Sequence, residues 1–160
     1  MFTVTQTEGT VKERYTTALE QLRALVSDER DAIANLSNTS ALLKVSLDRV
    51  NWAGFYRYDG AELVLGPFQG LPACIRIPLG SGVCGTAAER RETLVVSDVH
   101  AFPGHIACDS ASNSEIVVPL TVNGRLYGVL DVDSPEENRF GADEREFLEA
   151  VARLLERRLS

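Results

Sequence analysis

Apolar residues recur at helical spacing between Thr10 and Val26, at Val11, Tyr15, Ala18 and Leu19, Leu22, then Leu25 and Val26. Steps of three and four place them on one face of a helix. Asp28 reads as the N-cap of a second helix carrying Ile33, Leu36 and Leu43 on one face. The period then changes. Val50 to Tyr58 is aromatic-rich, Asp59-Gly60 is a turn, and Ala61 to Phe68 follows, which predicts a β-hairpin. A short strand at Cys74–Ile77, a turn with Gly80 and Gly82, and a short helix from Val83 to Arg90 come next. Leu94–Val96 reads as a strand and His100 to Asn113 as a loop. Glu115–Val122 and Leu126–Asp133 form a second hairpin about Asn123-Gly124. Ala142 to Leu159 is helical, with Leu148, Val151, Leu155 and Leu159 on one face. Helices at both ends of a meandering set of strands make an α+β domain with an antiparallel sheet.

No repeat, linker or composition shift divides the chain, so residues 1–160 are expected to form a single domain, with 1–9 frayed. Net charge is −7 and the sequence pI is near 4.9. Nucleic acid and anionic membranes call for a basic surface, so neither is an expected partner. No apolar run is long enough to span a bilayer. The opening MFTVTQTEGTVKERY lacks the basic and apolar regions of a secretory signal. A cytoplasmic protein is expected, with Cys74, Cys84 and Cys108 starting as thiols.

The segment GHIACDSASNSE (Gly104–Glu115) gathers a histidine, a cysteine and two acids among small residues. A patternless stretch of that length suggests function, although a surface loop with a half-buried cysteine accounts for it equally simply. His100, His105 and Cys108 are spaced too loosely for a structural zinc site, and no metal is expected. The cysteines form no C-x-x-C, so a thioredoxin-type dithiol is not expected. Distant cysteines can still meet in the fold, one as nucleophile and one resolving its sulfenic acid.

Strand alternation in Asn51-Trp52-Ala53-Gly54-Phe55-Tyr56 puts Trp52, Gly54 and Tyr56 on one face. The glycine leaves either a ring-walled hollow or a bulge in a packed strand. In Val129-Leu130-Asp131-Val132-Asp133 both aspartates face one way. Like charges so placed raise one pKa unless the strand end runs into solvent. Glu115 starts the partner strand and can reach the same spot.

Together, NWAGFY (Asn51–Tyr56), LVLGPFQG (Leu63–Gly70), ACIRIPLGSGVCGTA (Ala73–Ala87), GHIACDSASNSEIVVPL (Gly104–Leu120) and GVLDVDS (Gly128–Ser134) resemble the free methionine-(R)-sulfoxide reductases, which are built on a GAF domain. The resemblance implies a GAF-like domain with six antiparallel strands, N- and C-terminal helices packed on one face, and a closed pocket on the other. It implies reduction of free L-methionine (R)-S-oxide to L-methionine through a cysteine sulfenic acid and an intramolecular disulfide. Thioredoxin, fed by NADPH, would recycle that disulfide, with no resident cofactor. The same resemblance makes Cys108 the nucleophile, Cys74 the resolving thiol and Cys84 an auxiliary thiol. Trp52, Tyr56 and Ala107 fall on the substrate side. The family's pocket carboxylates fall on Glu115, Asp131 and Asp133. The chemistry of the reaction makes Glu115 and Asp133 the candidates for the sulfoxide oxygen, with Asp131 or a neighbour for the substrate ammonium. Related proteins imply a homodimer, with the N-terminal helices as its surface. Gly141 stands where relatives often carry Thr or Ser, a change worth a few tenths of a kcal/mol at a helix cap. The alternative reading is a non-catalytic GAF module that senses a small ligand.

Overall fold

The structure, a computed structural model, describes residues 2–4, 9–104 and 111–159. Cys108, Ala107 and His105, like part of the segment expected to fray, lie outside the described residues.

Helix α1 spans Val11–Val26, capped by Thr10, whose hydroxyl accepts from the Glu13 N–H. It buries Tyr15, Ala18, Leu22 and Val26, the stripe that the spacing predicts. Helix α2 spans Ala32–Ser46 and its N-cap is Asp31, not Asp28. The Glu29 carboxylate accepts from the N–H groups of Arg30 and Asp31, which turns the chain there. Asp31 then caps Ala34 at 2.9 Å. Ile33, expected on the inner face, is 63% exposed. The buried arc of α2 is turned toward Asn35, Thr39 and Ser40. Thr39 and Ser40 enter the interior because their hydroxyls donate to the carbonyls one turn back. A pattern counted on apolar residues alone misses that rotation.

The strands are β1 (Trp52–Tyr58), β2 (Glu62–Gln69), β3 (Arg76–Pro78), β4 (Leu94–Val96), β5 (Ser114–Val122) and β6 (Arg125–Ser134). Helix α3 (Gly82–Arg90) lies between β3 and β4, and α4 (Ala142–Glu156) ends the fold. The strands form one antiparallel sheet in the order β3-β2-β1-β6-β5-β4. The strand expected at Cys74–Ile77 starts two residues later, at Arg76. The reason lies upstream: the carbonyls of Leu71 and Cys74 are taken by side chains of β1 rather than by a ladder. The stretch expected as loop from His100 opens inside a short 3-10 turn, Val99–Ala101.

Alternation divides the sheet into two faces. Ala53, Phe55, Ile116, Val118, Leu120, Leu130 and Val132 pack under α1, α2 and α4. Trp52, Tyr56, Val117 and Val129 point the other way, toward α3. The terminal helices therefore share one face, as expected. Tyr15 of α1 stacks on Phe147 of α4 and donates its hydroxyl to Glu144. Glu144 also accepts from the Gly141 N–H at 2.7 Å, so the glycine cap is served by a carboxylate from within the helix. Asn123 and Gly124 both take positive φ, 53° and 76°, the pair that a tight primed hairpin turn needs between β5 and β6.

Candidate active site

The second sheet face carries the chemistry. In the ladder, Trp52 lies opposite Asp133, and Asp133 opposite Glu115. One step along, Gly54 lies opposite Asp131, and Asp131 opposite Val117. Period-2 geometry thus sends Trp52, Tyr56, Glu115, Asp131 and Asp133 to the same side, where α3 brings Cys84. All six are buried. The alternative of a strand end running into solvent does not hold for the aspartates: Asp131 is 4% exposed and Asp133 8%.

Burial sets the protonation of this cluster. It pushes the carboxyls of Glu115 and Asp131 well above the ordinary range, and the charge of a neighbouring aspartate adds to the effect on each. Burial first, then the nearby carboxylates, raises the Cys84 thiol likewise. Cys84 Sγ lies 3.7 Å from Glu115 Oε2. The phenol of Tyr56 is held neutral mainly by desolvation, with Asp131 adding to it. Such a site can donate protons or hydrogen bonds to an oxygen acceptor, and can hold a cation where a carboxylate is ionised.

The aromatic wall has a member that sequence reasoning missed. Trp52 stacks on Phe68, with ring centroids 5.1 Å apart, and on Tyr56 at 6.0 Å. Gly54 leaves no hollow between its neighbours. A Cβ there would collide with the Cβ of Phe68, and would stand 2.7 Å from its Cα and 2.8 Å from the Pro67 carbonyl. The register slips between Gly54 and Tyr56, so the bulge reading is the correct one and Phe68 fills the space. The signal available in the sequence was an aromatic at a position able to cross from a strand glycine, a known pairing.

The same aromatics fasten the segment before β3. Trp52 Nε1 donates to the Leu71 carbonyl at 3.2 Å, and the Tyr56 hydroxyl to the Cys74 carbonyl at 2.9 Å. Cys74 is half-buried and its sulfur is in a disulfide, whereas Cys84 is a buried free thiol. The nucleophile expected at Cys108 and the contact expected at Ala107 fall outside the described residues. Asn113 immediately precedes β5. Its amide donates to the Pro135 carbonyl at 2.7 Å, and its Oδ1 lies 3.2 Å from His100 Nε2. His100 is thus engaged with the residue that precedes β5.

The GAF domain model matches residues 11–159. Free methionine-R-sulfoxide reductase of Escherichia coli (strain K12) is 49% identical over 148 residues, covering 92% of this chain and 90% of that protein. Protein YtsP of Bacillus subtilis (strain 168) is 53% identical over 162 residues, covering 100% of this chain and 99% of that protein. The X-ray structure of free methionine-R-sulfoxide reductase from Neisseria meningitidis in complex with its substrate superimposes with a TM-score of 0.96 at 46% identity, over 99% of this chain and 96% of that one. Likeness at this level, over nearly the whole length and around a buried acid cluster, places the chain in the GAF-domain family of free methionine-R-sulfoxide reductases.

Proposed function

We propose that this protein reduces free L-methionine (R)-S-oxide to L-methionine, with Cys108 as nucleophile. The observation that carries the reading is the convergence of Glu115, Asp131 and Asp133 with the Trp52–Tyr56 wall on one sheet face. The sulfoxide oxygen leaves only when protonated, and buried carboxyls that keep their protons supply that need. Glu115 and Asp133 serve the oxygen, and Asp131 takes the substrate ammonium. The S-methyl end lies against Trp52 and Tyr56, where ring faces suit its partial positive charge, with Ala107 completing the contact.

In the chemical step the Cys108 thiolate takes the oxygen from sulfur. The sulfoxide is reduced to the thioether, and Cys108 is oxidised to a sulfenic acid. The Cys74 thiol then attacks that sulfur, forming a disulfide and releasing water. An external dithiol of the thioredoxin type, reduced by NADPH, exchanges with the disulfide and restores both thiols. The disulfide state of Cys74 beside the free Cys84 supports this assignment, with Cys84 as an auxiliary thiol. Such a cycle requires a reducing compartment, which fits a cytoplasmic enzyme that repairs oxidised methionine. The exposed Ile33 and Val45 of α2 fit a homodimer surface.

A coupled thioredoxin and NADPH assay tests the reading, comparing the free R, free S and peptide-bound sulfoxides. Turnover is expected with the free R form alone. Cys108→Ser is expected to abolish methionine formation, and Cys74→Ser to permit one turnover without recycling. Full activity in Cys108→Ser refutes the nucleophile, and sustained cycling in Cys74→Ser transfers the resolving role to Cys84.

A further inference from the structure

Cys84 has no obligatory step in that cycle, yet it is embedded among acids. One ligand atom from each of Cys84, Glu115 and Asp131 lies within 4.8 Å of the other two, and all three residues are buried. An independent sign that this cluster addresses a ligand comes from Asp131. Its Oδ1, on a residue 4% exposed, has no hydrogen-bond partner among the described residues. A buried acceptor without a donor is costly to keep.

The spacing suits a metal ion. Bonds of about 2.3 Å to sulfur and about 2.0 Å to oxygen, set at tetrahedral angles, hold the two ligand atoms about 3.5 Å apart. The Cys84 Sγ to Glu115 Oε2 separation is 3.7 Å, so that edge of a coordination polyhedron is already formed. The three groups hold their protons until a cation binds, and then release them to solvent. The resulting thiolate and two carboxylates favour a borderline-soft cation, because hard ions such as Mg²⁺ and Ca²⁺ take oxygen ligands alone.

We propose that Cys84, Glu115 and Asp131 form an inhibitory site for a borderline-soft divalent cation of the zinc class, which occupies the acids and excludes the sulfoxide. The exclusion of substrate rests on the function proposed above; the metal site itself rests only on the geometry of these residues. Metal availability would then govern the enzyme: the cation holds it silent, and substrate or a chelator releases it.

The protein with its Cys74 disulfide formed provides the test, since Cys84 is the free cysteine among the described residues in that state. Titration with Co²⁺ is expected to give a near-ultraviolet thiolate-to-cobalt absorption band saturating at one equivalent, quenched by Zn²⁺ and unaffected by excess Mg²⁺. Cys84→Ser should lose the band. Asp131→Asn, which keeps the thiol, should weaken Co²⁺ binding by about tenfold or more, as loss of a metal-site group does. Free methionine sulfoxide, which this oxidised form cannot turn over, should raise the apparent Co²⁺ dissociation constant at least tenfold. Absence of the band in the wild-type protein, or its persistence in Cys84→Ser, overturns the site. A Cys84-dependent band that sulfoxide leaves unchanged overturns the inhibition and, with it, the placement of substrate on these acids.

Discussion

Replacing Gly54 by alanine probes the join between fold and site with a single methyl group. Its Cβ would stand 2.7 Å from the Phe68 Cα, about 0.7 Å inside ordinary contact, with the Pro67 carbonyl at 2.8 Å behind it. The obstacle is backbone of β2, so no side-chain rotation relieves it, and β2 must move away from β1. Overpacking of this kind costs roughly 1–3 kcal/mol. Moving Phe68 also loosens its stack on Trp52, and such pairs are worth about 0.5–1.5 kcal/mol. Alanine returns about 0.5–1 kcal/mol through the smaller freedom of its unfolded chain. The net loss is expected to be about 2–3 kcal/mol, which for a chain of this size lowers Tm by roughly 5–10 °C. Urea unfolding followed by the fluorescence of Trp52, the single tryptophan, measures it directly. Gly66→Ala is the control. There the nearest atom to the new Cβ is the Phe55 carbonyl at 3.1 Å, a much milder crowding, and the loss should stay below about 1 kcal/mol. Gly54→Ala should also raise KM for the free sulfoxide, since the ring wall shifts. An unchanged urea midpoint together with an unchanged KM would refute the account of Gly54 as the gap that admits Phe68.

Tyr56→Phe removes the donor to the Cys74 carbonyl and should cost about 1 kcal/mol of stability. The first turnover should stay near wild type while disulfide formation slows, as read by trapping free thiols after a single substrate addition; the reverse pattern would assign the hydroxyl to substrate instead. A third expectation concerns pH. Glu115 and Asp131 keep their protons in the folded chain where the unfolded chain, with carboxylates near 4, has released them. The native state then binds more protons, so stability falls as pH rises above that range. Asp131→Asn removes one such group, and its unfolding free energy should gain on wild type as pH rises above the ordinary carboxylate range in chelator-containing buffer. Parallel stability profiles would show that Asp131 carries no raised pKa.

Much of the site was legible because strand geometry is simple. Alternation alone put Asp131 and Asp133 on one side, and the Asn123-Gly124 hairpin brought Glu115 across from Asp133. The same alternation set Trp52 and Tyr56 on one face, which the structure turns away from the long helices. What escaped the pattern were contacts made by tertiary packing. Nothing in local spacing shows that α3 delivers Cys84 to Glu115, 31 residues downstream. Phe68 was hidden because its value depends on a register slip across a glycine. The start of β3 moved because side chains of β1 claimed the carbonyls ahead of it, and α2 rotated because buried hydroxyls can satisfy themselves along a helix. The roles of individual cysteines were carried by family resemblance, since their spacing left several chemistries open.

The acid cluster has a consequence for how such chains diverge. A sheet face carrying Glu115, Asp131 and Asp133 indoors is a thermodynamic burden that amide or aliphatic replacements would lighten. Laboratory selection for heat tolerance alone should therefore erode these positions early, and, with the roles proposed above, catalysis would vanish before the architecture did. On the roles proposed for these acids, a natural descendant that keeps this scaffold but has exchanged them has been released from reductive duty, which gives a one-glance criterion for sorting enzymes from ligand receptors among look-alike domains.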